Sequence, residues 1–306
     1  MDYRPEGSLI KTPENARLTA SYEGLSEATK KGIILEARAA VCSNSHDLII
    51  DLPCGKGIIP REEGAVGITE GKTRDIALIS RVNKPVCFIV TSVSIDETGA
   101  VKAALSRKKA QERCISDYLT PLSPGDIIEA RVTHLEQFGC FVDIGCGVPS
   151  MLPIDTISVS RIAHPSDRFR VGQYIRAVVK AKEKERIQLT HKELLGTWDE
   201  NAALFSAGET VSGIVRSVEE YGVFVELTPN LAGLAEPKDN IQPGQLVSVY
   251  IKAIIPDKMK FKLVIVDVCE AISTEPAIRY WYTDDHISHW NYASEASGRI
   301  ISADFT

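Results

Sequence analysis

Between Gly208 and Leu227 the chain reads GETVSGIVRSVEEYGVFVEL. Val223, Val225 and Leu227 share one parity, Phe224 and Glu226 the other, so a strand here has two unlike faces. The aliphatic set is the core-facing one. Phe224 then points outward, with Tyr221 close to it across Gly222. Two exposed rings beside a glycine make a surface on which flat, aromatic ligands such as bases can stack. Gly125–Ile144, GDIIEARVTHLEQFGCFVDI, repeats the design. Gly125 to Phe138 has the spacing of Gly208 to Tyr221, Gly139 matches Gly222, and Phe141 matches Phe224. Cys140, Val142 and Ile144 form the inward set, Phe141 and Asp143 the outward one.

The rest of the pattern falls into units around these two stretches. Thr12-Pro13-Glu14 starts a predicted helix over Pro13–Lys31, which Gly32 stops; residues 1–12 are expected to be irregular. Strand chemistry then predicts Ile33–Val41, Asp47–Leu52, Ile58-Ile59 after a Gly55–Gly57 turn, Asp75–Ser80, Val86–Ser94 and Val101–Leu105. A helix over Ser106–Tyr118 leads out. Short strands with frequent turn signals predict a small barrel or sandwich. In the second unit Met151-Leu152-Pro153, a long connection Ile154–Arg170, and a hairpin of Ile175–Ala181 and Arg186–Thr190 follow the ring stretch. The third unit copies it. Gly172 to Lys180 and Gly244 to Lys252 are equally spaced, and length differences fall in connections, as in a structural repeat. His191–Ser206 joins the two units as a short helix, with Trp198 as a packing anchor.

The net charge of −6, from 35 basic and 41 acidic residues, argues against tight binding to a polyanion by charge alone. Acid is concentrated late in the chain, so a basic face is expected on the first two units. The seven cysteines contain no CxxC pair, which speaks against structural zinc and for reduced thiols in a cytosolic compartment. The start, MDYRPEGSLIKTPEN, has no secretory pattern, and no apolar run is long enough for a bilayer span. No P-loop, GxSxG, HExxH or dinucleotide fingerprint occurs, so no catalytic residue, cofactor or metal is predicted; His286-x-x-His289 lacks a third ligand. Tyr280-Trp281-Tyr282 and Trp290-Asn291-Tyr292 make the tail aromatic. It reads as an arm docked on the third barrel, or as a segment that anchors a partner.

The pattern G-x-x-V-x-G-x-V-x-x-V-x-x-[FY]-G-x-F-V-x-L…G-L, followed by G-x-x-V-x-V-x-[IV]…L, resembles the S1 RNA-binding domain family, known from ribosomal protein S1 and polynucleotide phosphorylase. The likeness is close over 121–195 and 205–266. It extends to the linker THKELLGTWDENAALFSAGE and, more weakly, to 30–112, where LSRKKAQE resembles a closing strand and helix. The resemblance implies an all-β protein of tandem five-stranded OB-fold barrels with short linking helices. Its parts are an N-terminal helical segment (1–31), a degenerate barrel (32–118), two S1 domains (121–195 and 205–270) and the aromatic arm (271–306).

The family's binding face uses two aromatics, a His after the third strand, and an Asp and an Arg on the last hairpin. In the second barrel these positions hold Phe138, Phe141, Pro153, Lys182 and Arg186; in the third, Tyr221, Phe224, Glu236 at the His position and Lys260 at the Arg position. In the first, His46 and Ile49 fall near the aromatic positions and Arg61 near the His, so the stacking platform is lost. The second barrel adds Arg131, Lys180, Lys182, Lys184 and Arg186 as cations. The third adds Lys252 and Lys260, but Glu226 and Glu236 are expected near its rings, repelling phosphate. The expectation is a cytoplasmic RNA-binding protein of translation or RNA metabolism. It would hold single-stranded RNA, mRNA foremost, chiefly on the second barrel, with the ribosome as a further partner, no membrane and no DNA specificity. The alternative is a protein–protein adaptor that docks on the ribosome or another RNA machine and has little RNA affinity.

Overall fold

The computed structural model describes residues 3–183, 186–269 and 278–306. Lys184, one of the candidate cations, lies outside the described residues. The chain forms two compact units. One is Met1–Leu122 with Glu129–Arg131 and Asp143–Pro149; the other is Ser123–Ile128, Val132–Val142 and Ser150–Thr306.

The N-terminal helical stretch is two helices, α1 (Pro13–Thr19) and α2 (Tyr22–Lys31), not one. Ser21 adopts an extended backbone and its hydroxyl caps the Gly24 N–H at 3.0 Å. Gly24 then packs so closely that a Cβ there would lie 2.5 Å from the Leu18 carbonyl oxygen. Gly32 ends α2 in the left-handed region, as its position predicted.

The first barrel comprises β1 (Ile34–Cys42), β2 (Leu48–Leu52), β3 (Gly55–Ile59), β4 (Pro85–Ile95) and β5 (Val101–Ser106). Its closed order is β1-β2-β3-β5-β4, with β3 and β5 parallel. Leu35, Leu48, Ile50, Ile59, Phe88 and Leu105 fill it. Asp75–Ser80, expected as a strand, is instead one helical turn, α3 (Ile76–Ile79). The five strands already close the barrel, the Asp75 carboxylate is held by Arg61 at 2.7 Å, and only Leu78 of the run is buried. Helix α4 (Arg107–Cys114), capped by Ser106, leads out.

The second barrel comprises β6 (Ile127–Glu136), β7 (Gly139–Asp143), β8 (Pro149–Pro153), β9 (Tyr174–Glu183) and β10 (Arg186–Thr190), closed in the order β10-β8-β7-β6-β9. After the linker helix α5 (Trp198–Ala202) comes the third, of β11 (Thr210–Glu219), β12 (Gly222–Thr228), β13 (Leu231–Ala235), β14 (Leu246–Ile255) and β15 (Lys260–Val268), closed as β11-β12-β13-β15-β14. All three share one connectivity, with the third and fifth strands paired in parallel. That is the five-stranded OB barrel.

Each unit carries a buried ionic cluster that strand parity did not foresee. In the first, Glu6 accepts from Arg107 Nε at 2.7 Å and Arg81 Nη1 at 3.1 Å, and its own N–H donates to Asp143 Oδ2 at 2.7 Å. Asp143, expected to face outward, is buried and accepts from the N–H groups of Gly145 and Gly147. Burial pushes Glu6 up, but Arg107 and Arg81 outweigh it and hold the carboxyl below its ordinary value. Glu36 accepts three backbone N–H groups, from Gly7, Leu9 and Ile10, so the irregular N-terminal residues are firmly tied.

In the second unit Glu226, also expected outside, sits between two guanidiniums. Arg168 Nη2 donates to Oε2, Arg216 Nε donates to the same oxygen at 2.7 Å, and Arg216 Nη2 reaches Oε1 at 3.2 Å. The Glu226 and Arg168 side chains are 2% and 3% exposed.

The aromatic tail is an arm, but it does not rest on the third barrel alone. Its short strands β16 (His289–Asn291) and β17 (Ser302–Asp304) pair antiparallel. Ile287 N–H donates to Gly125 O, Ile127 N–H to Asp285 O, Trp281 N–H to Leu194 O and Trp198 N–H to Tyr292 O, so second barrel and linker are both engaged. Tyr292 O–H donates to Asn230 O of the third barrel at 2.6 Å. Trp198, Ile287, Trp290, Tyr292 and Phe305 share one core cluster with the third barrel's Val215, Val225 and Phe261. Among the described residues no helix is long and apolar enough to cross a membrane.

Candidate nucleic-acid interface

The glycine between the rings is a packing requirement. At Gly139 (φ 159°) a Cβ would lie 2.3 Å from the Leu152 carbonyl oxygen; at Gly222 (φ 154°), 2.5 Å from that of Ala235. No side chain fits there, and the second and third strands of these two barrels approach closely. The residue before the glycine and the residue two after it then emerge side by side. Phe138 and Phe141 have centroids 6.1 Å apart at 90°, and Tyr221 and Phe224 are 6.2 Å apart at 89°. Phe138 is 55% exposed and Tyr221 66%; Phe141 and Phe224 are half-buried. Val142, Val223 and Val225 are fully buried on the opposite parity.

Lys180 and Lys182 on β9 and Arg186 on β10 are exposed, and in the hairpin register Lys182 faces Ile187 and Arg186 faces Glu183. Arg131 is used elsewhere. Its Nη1 donates to the Glu6 carbonyl at 2.9 Å, within the first compact unit. In the third barrel Lys252 Nζ lies 3.0 Å from Glu236 Oε1 at the surface, so Glu236 carries its own counter-ion. Glu226 is buried and does not belong to the ring face. Lys260 is exposed at the start of β15, opposite Ile255.

Two further residues stand near the ring faces that the sequence analysis does not name. Ser217 pairs with Phe224, Phe224 with Leu234, and Leu234 with Lys262, so one row across four strands ends in an exposed lysine beside the ring platform. The alternation of Lys260, Phe261, Lys262 and Leu263 carries that signal. His134, on β6, has its ring 6.4 Å from that of Phe141, tilted by 37°.

In the first barrel the corresponding row is Val41–Ile49–Ile58–Ala104, aliphatic throughout. Val41 and Ile58 are exposed. His46 sits in a turn with φ 66°, its Nδ1 3.5 Å from Asp75 Oδ2. In the tail His286 pairs with Asp126 and His289 with Asp304, so the two histidines do not converge.

Residues 122–192 match the family model described as the S1 RNA binding domain. The small ribosomal subunit protein bS1 of Staphylococcus aureus (strain COL) is 31% identical over 279 residues, covering 84% of this chain and 67% of that protein. Its namesake from Leuconostoc lactis is 29% identical over 238 residues, 71% of this chain and 52% of that one. That of Rhizobium meliloti (strain 1021) is 29% identical over 177 residues, 53% of this chain and 31% of that one. The chain thus spans one third to two thirds of the length of these relatives. Among solved structures, a multidomain protein with nucleic acid binding domains from Streptococcus pneumoniae is 13% identical, covering 77% of this chain and 74% of that one, at a TM-score of 0.26. Three barrels of one connectivity, two with a ring–Gly–x–Phe platform, and the extended likeness to the staphylococcal protein lead to one conclusion: the chain belongs to the bS1 family of small ribosomal subunit proteins.

Proposed function

We propose that this chain holds single-stranded RNA, mRNA foremost, on the ring faces of its second and third barrels, and does so at the ribosome in the cytoplasm during translation. The observation that carries the reading is the perpendicular Phe138–Phe141 pair, one ring exposed and the other half-buried, repeated as Tyr221–Phe224. Base–aromatic stacking contributes about 1–3 kcal/mol per base and tolerates any sequence. Two rings therefore supply about 2–6 kcal/mol, short of the roughly 8 kcal/mol of micromolar binding even before ordering costs, so useful affinity comes from added phosphate contacts and from barrels acting together. The second barrel leads through Lys180, Lys182 and Arg186. The third follows with Lys252, Lys260 and Lys262, in a more acidic stretch. Stacking and phosphate contact are common to RNA and DNA, so the preference for RNA rests on the family. No catalytic step belongs to this reading.

The aliphatic row Val41–Ile49–Ile58 favours a different role for the first barrel, a protein contact rather than base stacking. Titration of the full chain with a fluorescein-labelled oligouridylate at several salt concentrations tests the whole. Affinity should fall steeply with salt, with a slope of about −0.7 per phosphate contacted, hence about −2 for the three second-barrel cations. Co-sedimentation with ribosomes and no titratable RNA affinity would instead make the chain an adaptor.

A further inference from the structure

The second barrel carries a third ring. His134 stands on β6 with its side chain 64% exposed, its ring 6.4 Å from that of Phe141 and tilted by 37°, whereas Phe138 meets Phe141 edge-on at 6.1 Å. Phe141 therefore has two exposed rings as neighbours. Glu136 Oε1, 2.7 Å from His134 Nε2, orients the imidazole. The plain alternative is a surface histidine that merely pairs with Glu136. That pairing does not need the ring to lie against Phe141. At the matching position of the third barrel, the same distance after its glycine, Ser217 pairs with Phe224 and offers no π surface. The barrels thus differ at one position next to an otherwise common platform.

The geometry points to His134 as a third stacking residue of the second barrel's RNA face, which extends that face by one base relative to the third barrel. This rests on the reading that the Phe138–Phe141 face takes single-stranded RNA. An imidazole contributes by the same base–ring contact as the phenyl groups, so its removal should be felt as a lost stack.

The test compares His134→Ala, His134→Phe and the Phe138→Ala/Phe141→Ala pair in the full chain, by fluorescence anisotropy with a labelled oligouridylate. Far-UV circular dichroism checks the fold, which an exposed side chain should leave unchanged. His134→Ala should raise Kd about five-fold or more, and His134→Phe should restore it to within about two-fold, because the phenyl ring keeps the stack while losing the Glu136 contact. A His134→Ala protein that binds like the wild type overturns the proposal while the ring-pair reading stands, provided the double Phe variant loses binding. A His134→Phe protein as weak as His134→Ala overturns it too, since the contact would then be polar rather than stacked. Unchanged binding by the double Phe variant overturns the underlying reading and the proposal with it.

Discussion

Glu226→Gln separates two views of the third barrel. Strand parity places this carboxylate outside, where it would repel phosphate, and the variant would then bind RNA better without losing stability. The structure places it between Arg168 and Arg216, with side chains 2% and 3% exposed for Glu226 and Arg168. Neutralising it leaves two largely buried guanidiniums, with Asp167 at 3.5 Å from Arg216. Removing one partner of a buried ion pair costs about 3–5 kcal/mol, because the remaining charge keeps its desolvation penalty. Arg168 reaches Glu226 from the connection before β9, while Arg216 reaches it from β11, so the loss falls on the packing of the second barrel's long connection against the third barrel. Urea unfolding followed by tryptophan fluorescence reads it directly, since Trp198 and Trp290 lie in the core cluster of the same unit. A loss of less than about 1 kcal/mol, the range of an exposed pair, or a gain in RNA affinity, refutes the buried-clamp account.

Other consequences are equally open to measurement. Gly139→Ala should destabilise the second barrel by more than about 1 kcal/mol and weaken RNA binding, because the new methyl meets the Leu152 carbonyl at 2.3 Å; unchanged urea unfolding counts against it. Trp290→Ala, in the core of the arm, should cost about 3–5 kcal/mol, and a near-neutral result in the same titration would mean the arm is not docked. Two buried groups, one in each unit, should contribute to the pH dependence of stability in opposite senses. Burial pushes Glu36 up to about 7, so its contribution is full below the ordinary carboxylate range and is lost as pH rises through 7. Burial pushes His191 down to about 4, with Ile157 O and Tyr280 Oη against its ring nitrogens, so its contribution is full above the ordinary imidazole value and is lost as pH falls towards 4. Each shift is worth on the order of 3 kcal/mol. Fluorescence-detected stability, which reports the second unit's tryptophans, should drop from pH 7.5 to pH 5, and Glu36→Gln should flatten the first unit's response in far-UV circular dichroism.

The ring platforms are legible in the sequence because their signal is local. Parity, a glycine that only close backbone approach requires, and a second copy fix Phe138, Phe141, Tyr221 and Phe224 without any tertiary knowledge. The buried acids are not local. Glu226 and Asp143 sit near strand ends, where a register shift between Glu226 and Thr228 breaks simple alternation, and their partners Arg168 and Glu6 come from distant parts of the chain. Asp75–Ser80 looks like a strand by composition, but a barrel already closed by five strands has no edge for it. The arm's aromatic residues announce burial, while which surface they cover depends on Gly125, Leu194 and Asn230, whose sequence gives no hint of that contact. Lys262 was legible from alternation along β15, and His134 was not, because its contact with Phe141 runs across strands.

The proposed function has RNA held by the ring faces, the second barrel's first. It is tested by comparing Phe138→Ala/Phe141→Ala with Tyr221→Ala/Phe224→Ala in titrations of the full chain against one labelled single-stranded RNA. The first pair should lose about ten-fold or more in affinity and the second markedly less; equal losses would contradict the ranking of the barrels, and no loss in either would contradict binding by these faces.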